Sequence, residues 1–192
     1  MLSSEPQLEP QGERPAWGAR LLKITREALV TVVIFALVST VVNALKSPEL
    51  ESDQLPPMRL ALLSGERVSF APTAEAPLKA PLVLYFWGTW CPVCSAQSPV
   101  INSLAKGERA QVLTIAARSG KDQALKAWLQ DKGYSFPVYS DQQGQLSARF
   151  KVSAYPTIFI YDRTGQLRFT SVGYSFGLAL KARLLWLELW GG

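Results

Sequence analysis

The stretch Pro81-Leu82-Val83-Leu84-Tyr85-Phe86-Trp87-Gly88-Thr89-Trp90-Cys91-Pro92-Val93-Cys94 decides the fold. Its first half is a continuous apolar run of strand length, the pattern of a strand covered on both faces. Gly88-Thr89-Trp90 turns the chain, and Pro92 to about Lys106 has a helical pattern. Proline at the first helical position sacrifices no hydrogen bond, because that amide is unpaired in any helix. A strand feeding a helix through this turn sets Cys91 at the helix N-terminus, where unsatisfied amides and the helix dipole favour an anion. Cys94 lies one turn further in.

Two cysteines separated by two residues can be half of a zinc site, a structural bridge or a redox pair. The chain has no other cysteine and no histidine, so a four-ligand Cys/His zinc site cannot be completed. A bridge closing so short a loop removes little freedom from the unfolded chain and stabilises little. Redox chemistry accounts for the spacing best. A lowered thiol pKa supplies Cys91 as a thiolate nucleophile, and Cys94 is placed to attack the mixed disulfide and release the product. With the helix end but no histidine or lysine beside the pair, the expected potential is reducing or intermediate. The alternative in a binding class is a copper(I) carrier, since two soft thiolates at Cys91 and Cys94 suit that ion; the chain's two methionines form no cluster to assist it.

Outward from the dithiol the pattern alternates. Gln111–Ala117 is a second buried strand, Asp122–Lys132 a helix stopped by Gly133, Phe136–Tyr139 a short strand and Gln145–Phe150 a helical turn. Thr157–Tyr161, a turn at Asp162–Gly165 and Gln166–Val172 form a hairpin. From Phe176 to Trp190, Leu178, Ala182, Leu185 and Leu189 recur at spacings of four, three and four, which predicts one inward helix face. Upstream, Met58–Leu63 and Arg67–Phe70 form a short hairpin about Ser64-Gly65-Glu66. Alternating helices and apolar strands ending in an antiparallel hairpin imply an α/β fold, a mixed sheet with helices on both faces.

The N-terminal part is organised differently. Ala28–Leu45 holds eighteen residues without a charge, about 27 Å of helix and close to a bilayer's hydrocarbon thickness. Arg14, Arg20, Lys23 and Arg26 precede it, and Glu49, Glu51 and Asp53 follow Lys46. The positive-inside bias then puts the N-terminus in the cytoplasm and the rest outside. A cleaved signal peptide is the competing reading, with Val42-Asn43-Ala44 as a loose cleavage site, but the leader and apolar stretch are long for one. The expected organisation is a disordered cytoplasmic tail (1–27), a transmembrane anchor (28–45), an extracytoplasmic linker (46–57) and a folded domain (58–192).

The formal net charge of +5 is not gathered into a run and has no aromatic ladder beside it, so nucleic acid is not an expected partner. The absence of histidine excludes imidazole bases and Ser-His-Asp or Cys-His catalysis.

The segment Phe86 to Cys94 after a buried strand, with Ala154-Tyr155-Pro156-Thr157 some sixty residues later and before a strand, resembles thioredoxin-fold proteins. The leading hairpin, the tether and the ending from Gly173-Tyr174 to Trp186 resemble the membrane-anchored TlpA-like protein disulfide oxidoreductases, and among them the suppressor-of-copper-sensitivity protein D type. The resemblance implies a bacterial inner-membrane protein with a periplasmic domain, protein thiol and disulfide substrates, a DsbD-like membrane electron donor and a link to copper or redox stress. No cofactor is expected. The resemblance also makes Cys91 the nucleophile and Cys94 the resolving thiol, flanking Pro92 and Val93, and makes Pro156 a cis-proline beside them. Tyr155 and Thr157, with Trp90, would line the substrate groove, the Tyr155 backbone pairing with an extended substrate. Thioredoxins carry a buried acid six residues before the first cysteine as a proton relay; here that position is Tyr85.

Overall fold

This computed structural model describes residues 17–46, 48, 50 and 52–190, the side chains of 17–22, 35–36, 39–40 and 42–46 excepted. Helix α1 (Trp17–Lys46) runs through the expected anchor. It starts ahead of Ala28 because the preceding Ala19, Arg20, Leu21, Leu22 and Lys23 are all strong helix formers. The described apolar side chains along it, among them Leu29, Val32, Ile34 and Leu37, are exposed. The anchor segment lies partly outside the residues whose side chains are described, and among the described residues no helix is long and apolar enough to cross a membrane. Residues 1–16, most of the expected tail, lie outside the described residues, as do Ser47, Glu49 and Glu51 of the linker. The chain divides after Val42 into two compact units.

The second unit opens with the hairpin β1 (Met58–Ala61) and β2 (Arg67–Phe70). Residues just before Met58 are also bonded to it. Leu55 is buried, its amide donates to the Gly165 carbonyl, and the Leu167 amide donates to the Asp53 carbonyl. The end of the proline-bearing linker is therefore bonded into the domain.

Strand β3 (Leu82–Trp87) is buried at all six positions. It is followed by helix α2 (Pro92–Ala105), β4 (Gln111–Ala117), α3 (Asp122–Lys132), β5 (Val138–Asp141), α4 (Gln145–Arg149), β6 (Thr157–Tyr161), β7 (Leu167–Val172) and α5 (Gly177–Trp190). The sheet order is β5-β4-β3-β6-β7, with β3, β4 and β5 parallel and β6 and β7 antiparallel to their neighbours. This is the mixed sheet expected. Strand β5 begins two residues later than the pattern predicts, because register on β4 pairs Thr114 with Val138 and Ala117 with Asp141. Gly133 ends α3 in the left-handed region at φ 65°, a conformation that favours glycine.

The strict alternation of β3 divides the core. Val83, Tyr85 and Trp87 face α2, α3 and α5, where they meet Ile101, Leu104, Leu125, Leu129, Leu180, Leu184 and Leu187. Leu82, Leu84 and Phe86 face the hairpin and α4, meeting Met58, Phe70, Leu146 and Phe150. The inward face of α5 is thus Leu180, Leu184 and Leu187, not the expected Leu178, Ala182, Leu185 and Leu189. Leu178 and Leu189 are 81% and 67% exposed. Both sets have helical spacing, and contact with the sheet selects between them. Trp87 and Trp128 pack together with ring centroids 5.1 Å apart, and Trp186 packs edge-on to Phe169. Trp190 is exposed.

Candidate active site

At the C-terminal end of β3 the chain turns tightly at Gly88. A Cβ there would lie 2.6 Å from the Trp90 indole, so the close approach of that ring requires glycine. The indole N–H of Trp90 donates to the Ala117 carbonyl at 3.1 Å, and the Thr89 amide donates to Ser119 Oγ at 3.1 Å. Both bonds pin the turn to the end of β4. The Cys91 amide donates to the Gly88 carbonyl at 3.1 Å, which completes the entry to α2.

Cys91 is the N-cap of α2 and Pro92 begins the helix. The sulfur of Cys91 accepts the Cys94 amide at 3.1 Å, the bond that a serine or aspartate oxygen makes at an ordinary cap. No acidic residue stands in the first turn of α2, so nothing on the helix opposes negative charge at that sulfur. Cys91 and Cys94 form a disulfide with their Cα atoms 5.2 Å apart. Cys94 is fully buried and Cys91 nearly so, while Pro92 and Val93 between them are exposed. The entry to the pair is therefore from the Pro92–Val93 side, and the inner sulfur is shielded.

The Tyr155–Pro156 peptide is cis. Trp90 and Tyr155 meet edge to face with ring centroids 5.3 Å apart, which joins the cysteine turn to the proline loop. Among the described residues, neither backbone group of Tyr155 has a hydrogen-bond partner. Thr157 is buried in β6, and its hydroxyl donates to the Ala154 carbonyl at 2.8 Å. Its observed contact thus shapes the loop, whereas Trp90, at 55% exposure, forms part of the rim.

Two residues of this region, Gln97 and Ser98, escape a motif-based reading, and they lie on the helix turn that Tyr85 also contacts. Tyr85 donates to the Cys94 carbonyl at 3.0 Å, and Ser98 Oγ donates to the same oxygen at 2.9 Å. Burial pushes the Tyr85 phenol well above its ordinary value, so this hydroxyl remains a neutral donor. Gln97 is fully buried and its Oε1 accepts the Ser175 amide at 2.6 Å. The available signal was two polar residues, Gln97 and Ser98, on the helix turn after Cys94, where apolar residues fill a core-facing position more often.

The chemistry open to this arrangement is disulfide exchange. With the pair reduced, a Cys91 thiolate would attack one sulfur of a substrate disulfide, forming a Cys91–substrate bond as the other substrate sulfur leaves as a thiolate. Cys94, after losing its proton, would then attack Cys91, so that the intramolecular disulfide forms and the substrate departs carrying two electrons. The reverse sequence oxidises a substrate dithiol.

Fold and site together define a protein thiol–disulfide oxidoreductase of the thioredoxin type. The chain belongs to the AhpC/TSA family, whose profile matches residues 52–170. It is similar to a thioredoxin-like protein of Haemophilus influenzae, 29% identical over 90% of this chain and 99% of the relative. It is also similar to the thiol:disulfide interchange protein DsbE of Xylella fastidiosa, 30% identical over 76% of this chain and 73% of the relative. Among solved structures, the exposed lipoprotein thioredoxin of Streptococcus pneumoniae superimposes with a TM-score of 0.58 at 26% identity, covering 68% of this chain and 98% of that one.

Proposed function

We propose that this oxidoreductase works outside the cytoplasm of a bacterial cell, tethered to the inner membrane by α1, and acts mainly as a reductant of protein disulfides. In this reading Cys91 is the nucleophile, Cys94 resolves, Pro92 and Val93 set the spacing, and the Tyr155–Pro156 backbone holds an extended substrate beside the sulfur. Electrons arrive from a DsbD-like membrane donor. A role in copper or redox stress fits a reductant that repairs thiols oxidised by the metal, and it rests on the family resemblance alone.

The observation that carries the reading is the Cys91 sulfur serving as the cap of α2 and accepting the Cys94 amide at 3.1 Å. That geometry stabilises a thiolate. The tether is supported by the uncharged run Ala28–Leu45, by the exposed apolar side chains along α1 and by the basic residues before it.

The direct test is Cys94→Ala in cells, with acid quenching and identification of what remains bonded to Cys91. Periplasmic proteins and one membrane donor are the expected catch. Cytoplasmic partners alone, or no adducts, would overturn the placement or the exchange role respectively. Equilibration of the dithiol with glutathione should give a potential in roughly the lower half of the −270 to −120 mV range of such proteins. Anaerobic competition with a copper(I) chelator covers the carrier alternative, which requires tight one-to-one binding at Cys91 and Cys94.

A further inference from the structure

Among the described residues, and apart from those on α1, the exposed large apolar side chains fall in two places: the outer side of α5, and a set comprising Trp90, Val93, Tyr174 and Phe176. The second set comes from two separate segments, the turn that carries the dithiol and the loop between β7 and α5. Trp90 and Val93 flank the cysteines directly. Tyr174 and Phe176 belong to the loop between β7 and α5, which is bonded to both halves of the site. The Gly173 amide donates to the Pro156 carbonyl at 2.8 Å. The Ser175 amide donates to Gln97 Oε1 at 2.6 Å, on the helix turn that follows Cys94. Because Gln97 is fully buried, this second bond fixes the loop to the body of α2 rather than to a mobile surface chain.

Tyr174 lies between these two attachment points. It and Phe176 are 46% and 69% exposed, and their rings meet edge to face at 5.4 Å with an interplanar angle of 88°. Exposed, rigidly held aromatics at the rim of a reactive centre are the usual source of binding energy for a partner chain. The neighbouring Tyr155 backbone groups, lacking partners among the described residues, suit pairing with an extended segment. In such a segment every second side chain faces the same way, about 6.6 Å apart. A substrate whose cysteine points at Cys91 therefore also presents the residue two positions away to the protein.

We propose that Tyr174 and Phe176 form a fixed aromatic clamp that selects extended polypeptide segments bearing a bulky apolar or aromatic side chain two residues from the reacting cysteine. The proposal rests on the exchange reading of the dithiol and names its substrate class. Small disulfides such as glutathione disulfide are too short to engage the clamp and react at Cys91 without it.

The test uses the reduced full-length chain in detergent and three oxidants: a peptide disulfide with Phe two residues from the cysteine, the same peptide with Ser there, and glutathione disulfide. The wild type is expected to favour the Phe peptide by about tenfold in kcat/KM. The Tyr174→Ala and Phe176→Ala double variant should lose that preference through KM, with kcat and the glutathione reaction unchanged, and Tyr174→Phe should retain it. An unaltered Phe-to-Ser ratio in the double variant overturns the clamp. So does a variant impaired only in reduction by a membrane donor, which would make the pair a donor-docking surface. A wild type inert toward all three oxidants would instead refute the exchange reading beneath it.

Discussion

Tyr85→Phe removes one hydroxyl from directly beneath Cys94 and leaves the ring in place. The lost group donates to the Cys94 carbonyl at 3.0 Å and lies 3.4 Å from Ser98 Oγ. That carbonyl keeps the Ser98 hydroxyl at 2.9 Å, so no buried acceptor is orphaned. The expected cost is therefore the net value of one hydrogen bond, about 1 kcal/mol, and a fall in Tm of about 4 °C for a domain of this size. Urea unfolding of the oxidised protein measures it. The same variant tests whether Tyr85 replaces the missing acid as a proton relay. Burial holds its phenol well above the ordinary range, so it stays protonated throughout neutral pH and serves as a fixed donor. The pH profile of disulfide exchange should then keep its inflections in Tyr85→Phe and change only in amplitude. Tyr85→Glu should add an inflection, because a buried carboxyl titrates upward into the working range. Loss of an inflection in the Phe variant, or destabilisation beyond about 3 kcal/mol, the range of a broken buried network rather than one net bond, would refute this account of Tyr85.

The β6–β7 turn and the packing of α5 give two more expectations. Burial alone would raise the pKa of Asp162, but hydrogen bonds from Thr164, Arg168 and Gln166 and the charge of Arg168 outweigh it and hold the carboxyl below its ordinary value. A depressed folded-state pKa stabilises above the unfolded value near 4 and ceases to do so as pH falls through the folded one. Asp162→Asn should flatten the loss of stability below about pH 4, and an unchanged urea-midpoint slope between about pH 5 and pH 2 would contradict it. Leu184→Ala should cost about 2–5 kcal/mol and Leu178→Ala less than about 0.5 kcal/mol; equal costs in denaturant unfolding would mean that the buried face of α5 is wrongly assigned.

Strand β3, helix α2 and the β6–β7 hairpin are legible from sequence because local pattern and final environment agree there. The run Leu82–Trp87 is apolar throughout and buried throughout, and Gly165 takes the positive φ that its turn needs. Helix α5 is legible as a helix but not in its orientation, since Leu178–Leu185–Leu189 and Leu180–Leu184–Leu187 have equally good spacing. Residues 52–57 look like a spacer because of their prolines. Long-range bonds of Asp53, Gln54 and Leu55 to the β6–β7 hairpin enrol them in the domain. The site divides the same way. Cys91, Cys94 and Pro156 announce themselves through local motif. Gln97 and Tyr174 acquire meaning only when β7 returns to lay its following loop against α2, a contact spanning 78 residues.

The central claim is that the α2 N-terminus holds Cys91 as a thiolate, and alkylation of the reduced protein across pH tests it most directly. With mass detection to separate the two thiols, Cys91 should react first, with a midpoint in the upper part of the roughly pH 3.5 to 7.5 range of activated thiols. A Cys91 midpoint at about 8.5, the value of an unperturbed cysteine, with no preference over Cys94, would contradict the account.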